Sequence, residues 1–263
     1  MRTPFPYSRS TALVTGASSG IGAAFADQLA ARGANLVVVA RNAPALEDLA
    51  TRLRCAHGVE VRVAPGDLGD AVVRLDLLES LADTAVDLLV NNAGFGTHGS
   101  FVQLPWEREI GQVELNCAAV VHLSRALLPA MVARGDGGII NVASTAAFAP
   151  CPNMATYGAT KAFVLSFSEA VAIECRGSGV RILALCPGAV DTGFGAATGD
   201  STFGASGFFA RATGPEDVVG VALAALDQGR TSVVFGIYNR VMALGTRLVP
   251  RSWSARISGR ILA

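Results

Sequence analysis

The chain has 263 residues, 51% of them hydrophobic and 16% charged, with 29 glycines. That length suits one large α/β domain or two small ones, and the composition excludes an intrinsically disordered chain. Its 21 Lys+Arg balance 21 Asp+Glu, so no net field recruits nucleic acid.

Residues 11–15 read as a short buried strand. They run into Gly16-Ala17-Ser18-Ser19-Gly20-Ile21-Gly22 and an Ala-rich helix reaching about residue 32. A strand, a glycine turn and a helix start form a phosphate cradle, because glycines let backbone approach a pyrophosphate and helix N–H groups point at it. The spacing is G-x-x-x-G-x-G, not G-x-G-x-x-G. Residues 35–40 form the second strand, ending in Ala40-Arg41. An acid there would bond the ribose 2′-OH of NAD; an Arg meets a 2′-phosphate, which favours NADP(H) while leaving NAD(H) open. Ser18 could add a hydroxyl to the same phosphate. A plain solvated Arg41 is the alternative.

A helix follows over 43–56 and an alternating strand over 59–64. Asp67 and Leu68 then fall where an adenine would lie, although Asp67 could equally cap the next helix, which reaches about residue 82. Strand four, 86–90, ends in Asn91-Asn92-Ala93-Gly94. One long helix is expected over 105–134, with Pro129 as a possible kink and Asn116 inside it. A mid-helix Asn either bonds locally or opens the helix and holds a water. Strand five, 138–143, delivers Ser144; a helix covers 155–176; strand six, 180–186, closes at Pro187-Gly188. Strand and helix signals alternate throughout, which implies a doubly wound, parallel α/β sheet with helices on both faces. No repeat or linker interrupts it, so one domain is expected over 1–263.

Tyr157 and Lys161 are four apart, on one face of the 155–176 helix. A phenol of pKa about 10 is a poor acid or base at neutral pH, and an ammonium one turn away favours the phenolate. Ser144 could hold a carbonyl or hydroxyl oxygen. Taken alone, this pair also fits a helix surface with a snorkelling lysine.

The cysteines (Cys55, Cys117, Cys151, Cys175, Cys186) are odd in number and scattered. They read as reduced, buried thiols of a cytoplasmic protein, with no metal-site spacing. Residues 1–10 lack the apolar stretch of a signal peptide. No uninterrupted apolar run reaches the ~18 residues of a membrane span.

In order and spacing these motifs resemble the short-chain dehydrogenase/reductase superfamily in its single-domain form. They are Thr15-Gly-Ala-Ser-Ser-Gly-Ile-Gly22, Asn91-Asn-Ala-Gly94, Asn116, Ser144, Tyr157-x-x-x-Lys161 and Pro187-Gly188, and the match covers about 10–236. The resemblance implies a Rossmann-like sheet of about seven strands in the order 3-2-1-4-5-6-7. It also implies hydride transfer between NADP(H) and a carbonyl or secondary alcohol. Tyr157 would be the acid/base, Ser144 would polarise the substrate oxygen, and Lys161 would lower the Tyr157 pKa and bind the nicotinamide ribose. Asn116 would hold a water linking Lys161 to a proton relay. Gly16, Ser18, Ser19, Gly20, Ile21, Gly22, Asn91, Ala93, Gly94, Pro187, Gly188 and Val190 would line the cofactor. Thr192 would orient its carboxamide, and Arg41 matches the position marking NADP preference.

The substrate loop, 193–214, holds six glycines and Phe194, Phe203, Phe208 and Phe209, the makings of a mobile flap over an apolar pocket. Phe95, His98, Phe148 and Met154 are further lining candidates. No basic cluster in the flap asks for an anionic substrate, so a small apolar carbonyl or alcohol is expected; a β-ketoacyl thioester is the alternative, and a non-catalytic NADP-binding sensor a remoter one. Thr213-Gly-Pro215 starts a capped helix, and 232–236 is a seventh strand. Many relatives stop soon after. Here 237–263 continue with Arg240, Arg247, Arg251, Arg256 and Arg260 and no acid. This reads as one or two amphipathic helices broken near Pro250, either packed beside the active site or serving a membrane surface or partner. The extension puts the family's usual tetramer in doubt; a homodimer or homotetramer is expected.

Overall fold

The computed structural model describes residues 3–199, 212–246 and 249–261. Seven parallel strands form one sheet in the order β3-β2-β1-β4-β5-β6-β7. They are β1 Thr11–Thr15, β2 Asn35–Ala40, β3 Val61–Pro65, β4 Leu88–Asn91, β5 Gly138–Val142, β6 Arg181–Cys186 and β7 Ser232–Val234. The first two match the sequence expectation residue for residue. The helices are α1 Gly20–Ala30, α2 Ala43–His57, α3 Ala71–Ser80, α4 Trp106–Val113, α5 Ala119–Arg134, α6 Ala155–Glu174, the single turn α7 Phe194–Ala197, α8 Pro215–Asp227, α9 Ile237–Gly245 and α10 Arg251–Ile261.

Alternation along the strands builds two cores. Ala12, Val14, Leu36, Val38, Leu88, Val90, Ile140 and Leu183 face one side, where α1, α2 and α8 pack. Leu13, Val37, Val39, Leu89, Ile139 and Ile182 face the other, against α3, α5 and α6. Successive side chains on a strand point to opposite faces, so near-continuous apolar strands are the signature of a sheet covered on both sides.

Local signals explain the ends. Asn42 caps α2 by accepting from the Ala45 N–H, and Gly58 closes it with φ +66°. Asp70, not Asp67, caps α3; the Asp67 carboxylate accepts instead from the Gly69 N–H. The start of α8 differs from expectation: its cap is Gly214, with no side-chain cap bond, and Pro215 in the first turn.

The expected 105–134 helix is three pieces. Glu114–Ala118, with Asn116 at its centre, is a π-helical turn between α4 and α5. A π turn widens the hydrogen-bonding ring by one residue, a distortion frequent at functional sites. α5 runs on through Pro129. By length and composition Trp106–Arg134 is apolar enough to cross a membrane, although, as expected, no uninterrupted apolar run in it reaches that length. Here α5 lies on β4 and β5 through Leu123 and Met131.

All five cysteines are free, but only Cys186 is fully buried and Cys55 is exposed, so the expected set of buried thiols holds only in part.

Candidate active site

The carboxyl ends of β1, β2, β4, β5 and β6 open onto one cavity of about 790 Å³. A parallel sheet collects its loops at that edge, with strand order reversing between β1 and β4.

Gly16, Ser18, Ser19, Gly20 and Ile21 line one end. Gly16 has φ +66°. A Cβ on Gly20 would lie 2.8 Å from the Thr192 methyl, so the turn needs a bare backbone there. Ser19 precedes α1 without a side-chain cap bond, which leaves the first-turn N–H groups without a capping side chain. Gly22 is not on the cavity wall. A Cβ there would meet the Gly16 carbonyl oxygen at 2.2 Å, so its role is to let α1 close on the turn.

Arg41, Asp67 and Leu68 line the adjoining wall. Both charged side chains are largely exposed, with Arg41 Nη1 3.8 Å from Asp67 Oδ2. A pair that exposed is weak, so Arg41 is available to an incoming anion.

At the end of β4 the expectation needs a correction. Asn91 points into the core, where its Nδ2 donates to Asn141 Oδ1 at 2.8 Å and Ser124 Oγ at 3.1 Å. Strand alternation sends the next residue the other way, and Asn92, Ala93 and Gly94 line the cavity. Asn92 Nδ2 donates to the carbonyl oxygens of Thr15 (2.9 Å) and Gly16 (3.3 Å), and its N–H to Thr15 Oγ1 (2.9 Å). These bonds hold the glycine turn against β4, a role that inspection of the tetrapeptide alone does not assign.

Ser144 is buried at the end of β5, and its Oγ accepts from the Ala146 N–H at 3.1 Å. Tyr157 and Lys161 rise from α6 on one face, both on the cavity wall. Phe194 packs on Tyr157 with ring centroids 5.1 Å apart. Burial pushes the Tyr157 phenol up to about 12, opposed by a hydrogen bond from Ser144. Burial pulls the Lys161 ammonium down to about 8. Lys161 Nζ donates to the Val142 carbonyl at 2.7 Å and lies 5.8 Å from the Tyr157 ring centroid. The expected lowering of the tyrosine pKa by lysine does not show: Ser144 is the group that lowers it, and desolvation of the phenolate dominates.

Asn116 is brought close without joining the wall. Its Oδ1 accepts from the Phe95 N–H (3.2 Å), and its Nδ2 donates to the Phe95 carbonyl and Thr160 Oγ1 (both 3.0 Å). Thr160 Oγ1 in turn donates to the Tyr157 carbonyl at 2.8 Å. The amide thus holds the Phe95 loop against the first turn of α6, and Thr160, unnoticed in the sequence, is the link. A Cβ on Gly94 would lie 2.8 Å from Asn116 Oδ1 and 3.6 Å from Lys161 Nζ, so only glycine fits between them.

Pro187, Gly188, Val190 and Thr192 follow β6 along the wall. Phe95, Phe148, Met154 and Phe194 line the far end as expected, whereas His98 does not reach it. Phe203, Phe208 and Phe209, with most of the expected flap, lie outside the described residues. The tail lies beside the active site, one of the two readings of its sequence, and supplies lining residues that the sequence did not single out: Tyr238, Asn239, Met242, Ala243 and Thr246 of α9 and Ser258 of α10. A Cβ on Gly188 would lie 2.4 Å from Asn239 Nδ2, so the Pro-Gly turn is also the seat of α9. The signal was present in the seven-residue spacing of Asn239 and Thr246, two turns apart on one side of the tail.

The short chain dehydrogenase family model matches residues 10–202. The chain belongs to the short-chain dehydrogenase/reductase family. An uncharacterized oxidoreductase of Myxococcus xanthus (strain DK1622) is 38% identical over 182 residues, 68% of this chain and 72% of that protein. Among solved structures of the family, a short-chain dehydrogenase from Sphingobium yanoikuyae in complex with NADPH is 35% identical, with a TM-score of 0.83 over 91% of this chain and 93% of that one. A bulky-bulky ketone specific alcohol dehydrogenase from Comamonas testosteroni is 33% identical, with a TM-score of 0.78 over 92% of this chain and 94% of that one.

Proposed function

We propose that this short-chain dehydrogenase/reductase is an NADP(H)-dependent oxidoreductase that interconverts a ketone and a secondary alcohol on an apolar small molecule, with Tyr157 as acid/base. The observation that carries this reading is the meeting of Tyr157, Ser144 and Lys161 on the wall of one cavity whose far end is Phe95, Phe148, Met154 and Phe194. The residues fit the cofactor. The Gly16–Gly20 turn is a cradle that a Cβ would fill, and Arg41 suits a 2′-phosphate. Ser18, Ser19, Ile21 and Ala93 would hold the remainder, with Asp67 and Leu68 beside the adenine and Thr192 and Val190 beside the nicotinamide. When bound, the cofactor supplies or accepts the hydride.

The chain's own residues handle the oxygen and its proton. Ser144 and Tyr157 present two hydroxyls to a carbonyl oxygen, and both bonds strengthen as that oxygen gains charge. A phenol held at about 12 is fully protonated at pH 7, so Tyr157 is loaded to donate in the reductive direction. Lys161, held at about 8, is mostly cationic at neutral pH, and its field favours the phenolate left behind. Asn116 and Thr160 keep the first turn of α6 in register with the Phe95 loop. The Comamonas testosteroni neighbour, a bulky-ketone enzyme by its description, supports an apolar ketone of some size, as does the aromatic far end.

The test is a panel of free aryl and alicyclic ketones with NADPH and with NADH, run beside β-ketoacyl thioesters. Turnover of apolar ketones with NADPH, removed by Tyr157→Phe while cofactor binding persists, is the expected result. Near-parental turnover by Tyr157→Phe would overturn the assignment of the acid/base. Exclusive turnover of thioesters would overturn the substrate class.

A further inference from the structure

The two tail helices leave large apolar residues unburied. In α9 the inward side is made of Asn239, Ala243 and Thr246, while Ile237, Val241 and Leu244, spaced by four and three, stand outward at 76, 61 and 60% exposure. α10 repeats the arrangement. Ser254 is buried and Ser258 reaches the cavity, while Trp253 is 62% exposed and Ile257, one turn on, is exposed as well. An amphipathic helix of a globular protein buries its large apolar residues and turns polar ones to water. Here Asn239, Thr246 and Ser254 face the body, while Ile237, Val241, Leu244, Trp253 and Ile257 stay exposed among the arginines.

The charge of the tail is one-sided. Residues 237–263 contain five arginines and no acid, in a chain whose total charge is balanced. Arg240, Arg251 and Arg256 are exposed alongside the apolar residues. We propose that the α9–α10 face docks on the surface of an anionic lipid bilayer. Ile237, Val241, Leu244 and Ile257 enter the boundary between headgroups and acyl chains, Trp253 sits at the headgroup level, and the arginines meet the lipid phosphates. A second copy of the chain fits this face poorly. An isologous contact would press the arginines of one tail on those of the other, with no tail carboxylate to pair them.

The docking bears on the active site. Tyr238 and Met242 line the cavity and are themselves exposed, so α9 forms part of its rim. Resting this rim on lipid sets the mouth beside the bilayer, the phase in which an apolar substrate concentrates. That last step rests on the proposed apolar ketone or alcohol; the docking itself does not.

The test uses the full chain and sedimentation with vesicles of phosphatidylcholine alone or of phosphatidylcholine with phosphatidylserine. Binding to the serine-containing vesicles should exceed binding to phosphatidylcholine by about tenfold in low salt and fall steeply in 0.5 M salt. The double variant Arg251→Glu, Arg256→Glu should lose about tenfold, and Val241→Asp, Leu244→Asp should lose binding altogether. Both should keep the parental melting temperature, because they alter only exposed positions. Wild-type protein that ignores both vesicles, or binds both equally at any salt, overturns the proposal. So does a dimer in sedimentation equilibrium that Val241→Asp, Leu244→Asp dissociates, since a second copy would then cover the face. An enzyme that binds anionic vesicles yet turns over no ketone would overturn the proposed substrate and leave the docking standing.

Discussion

The two ends of the cavity are built on different principles. The end at β1 and β4 is backbone held by short polar bonds: Asn92 and Thr15 fasten the glycine turn to the neighbouring strand, and Gly22 lets α1 close on it. The other end is side-chain packing, with Phe194 on Tyr157 and α9 seated on Gly188. The first has little slack, because each of its contacts has main chain on at least one side. The second is made of rotatable groups and can change its lining while the chemistry stays in place.

The largest effect separating the ends should come from Tyr157→Phe, which removes the proton donor without changing the ring. Turnover should fall by about 10³-fold, while calorimetry finds cofactor affinity within a few-fold of the parent. Loss of both together would mean that Tyr157 belongs to the cofactor end instead.

Gly22→Ala against Gly188→Ala tests the contrast in stiffness. The first puts a methyl 2.2 Å from a main-chain carbonyl oxygen; the second puts one 2.4 Å from the amide end of Asn239. Gly22→Ala should lose several kcal/mol of stability and cofactor binding with it, since backbone must move. Gly188→Ala should cost about 1 kcal/mol or less and show chiefly as a changed KM for bulky ketones. Equal losses in chemical denaturation would erase the distinction.

Lys161 lies between the two ends, and its burial has a sign. Its folded-state pKa of about 8 is below the ordinary 10.5, so the cost of burying the charge is fully present below pH 8. Stability then rises with pH between 8 and 10.5, where the unfolded chain holds a proton that the native chain has released. Lys161→Met should therefore abolish turnover yet raise stability at pH 7, by up to roughly 3 kcal/mol, with the advantage fading toward pH 10. In the parent enzyme, carbonyl reduction should fall above pH 8 as Lys161 loses its charge, which a pH–rate profile would check.

A smaller and more selective effect is expected from Arg41→Ala. Loss of a charge-assisted contact should weaken NADPH by about 10- to 100-fold and leave NADH nearly unchanged. An equal loss for both would make Arg41 a packing residue of the cofactor end.

Much of this was legible in the sequence, for reasons that can be traced. Thr11–Thr15 and Asn35–Ala40 were readable to the residue because strands buried on both faces must be apolar throughout. Tyr157 and Lys161 were readable because four residues on a helix have one geometry. Asn91 misled because motif membership does not say which way a strand side chain points. The π turn at Glu114–Ala118 was half legible: Asn116 marked where the helix could open, but its partner, the Phe95 backbone, lies 21 residues away.

By itself, then, the sequence determined the sheet, the glycine cradle and the catalytic pair, all of which depend on local spacing and on burial that every parallel strand shares. Only the tertiary structure decided that Asn92 and Thr160 are fastenings, that burial and Ser144 set the Tyr157 pKa, and that α9 and α10 wall the cavity. These are outcomes of contacts between distant segments. A one-dimensional pattern records that the tail is amphipathic, but which of its faces meets the body depends on the shape it lands on, here the bare backbone of Gly188.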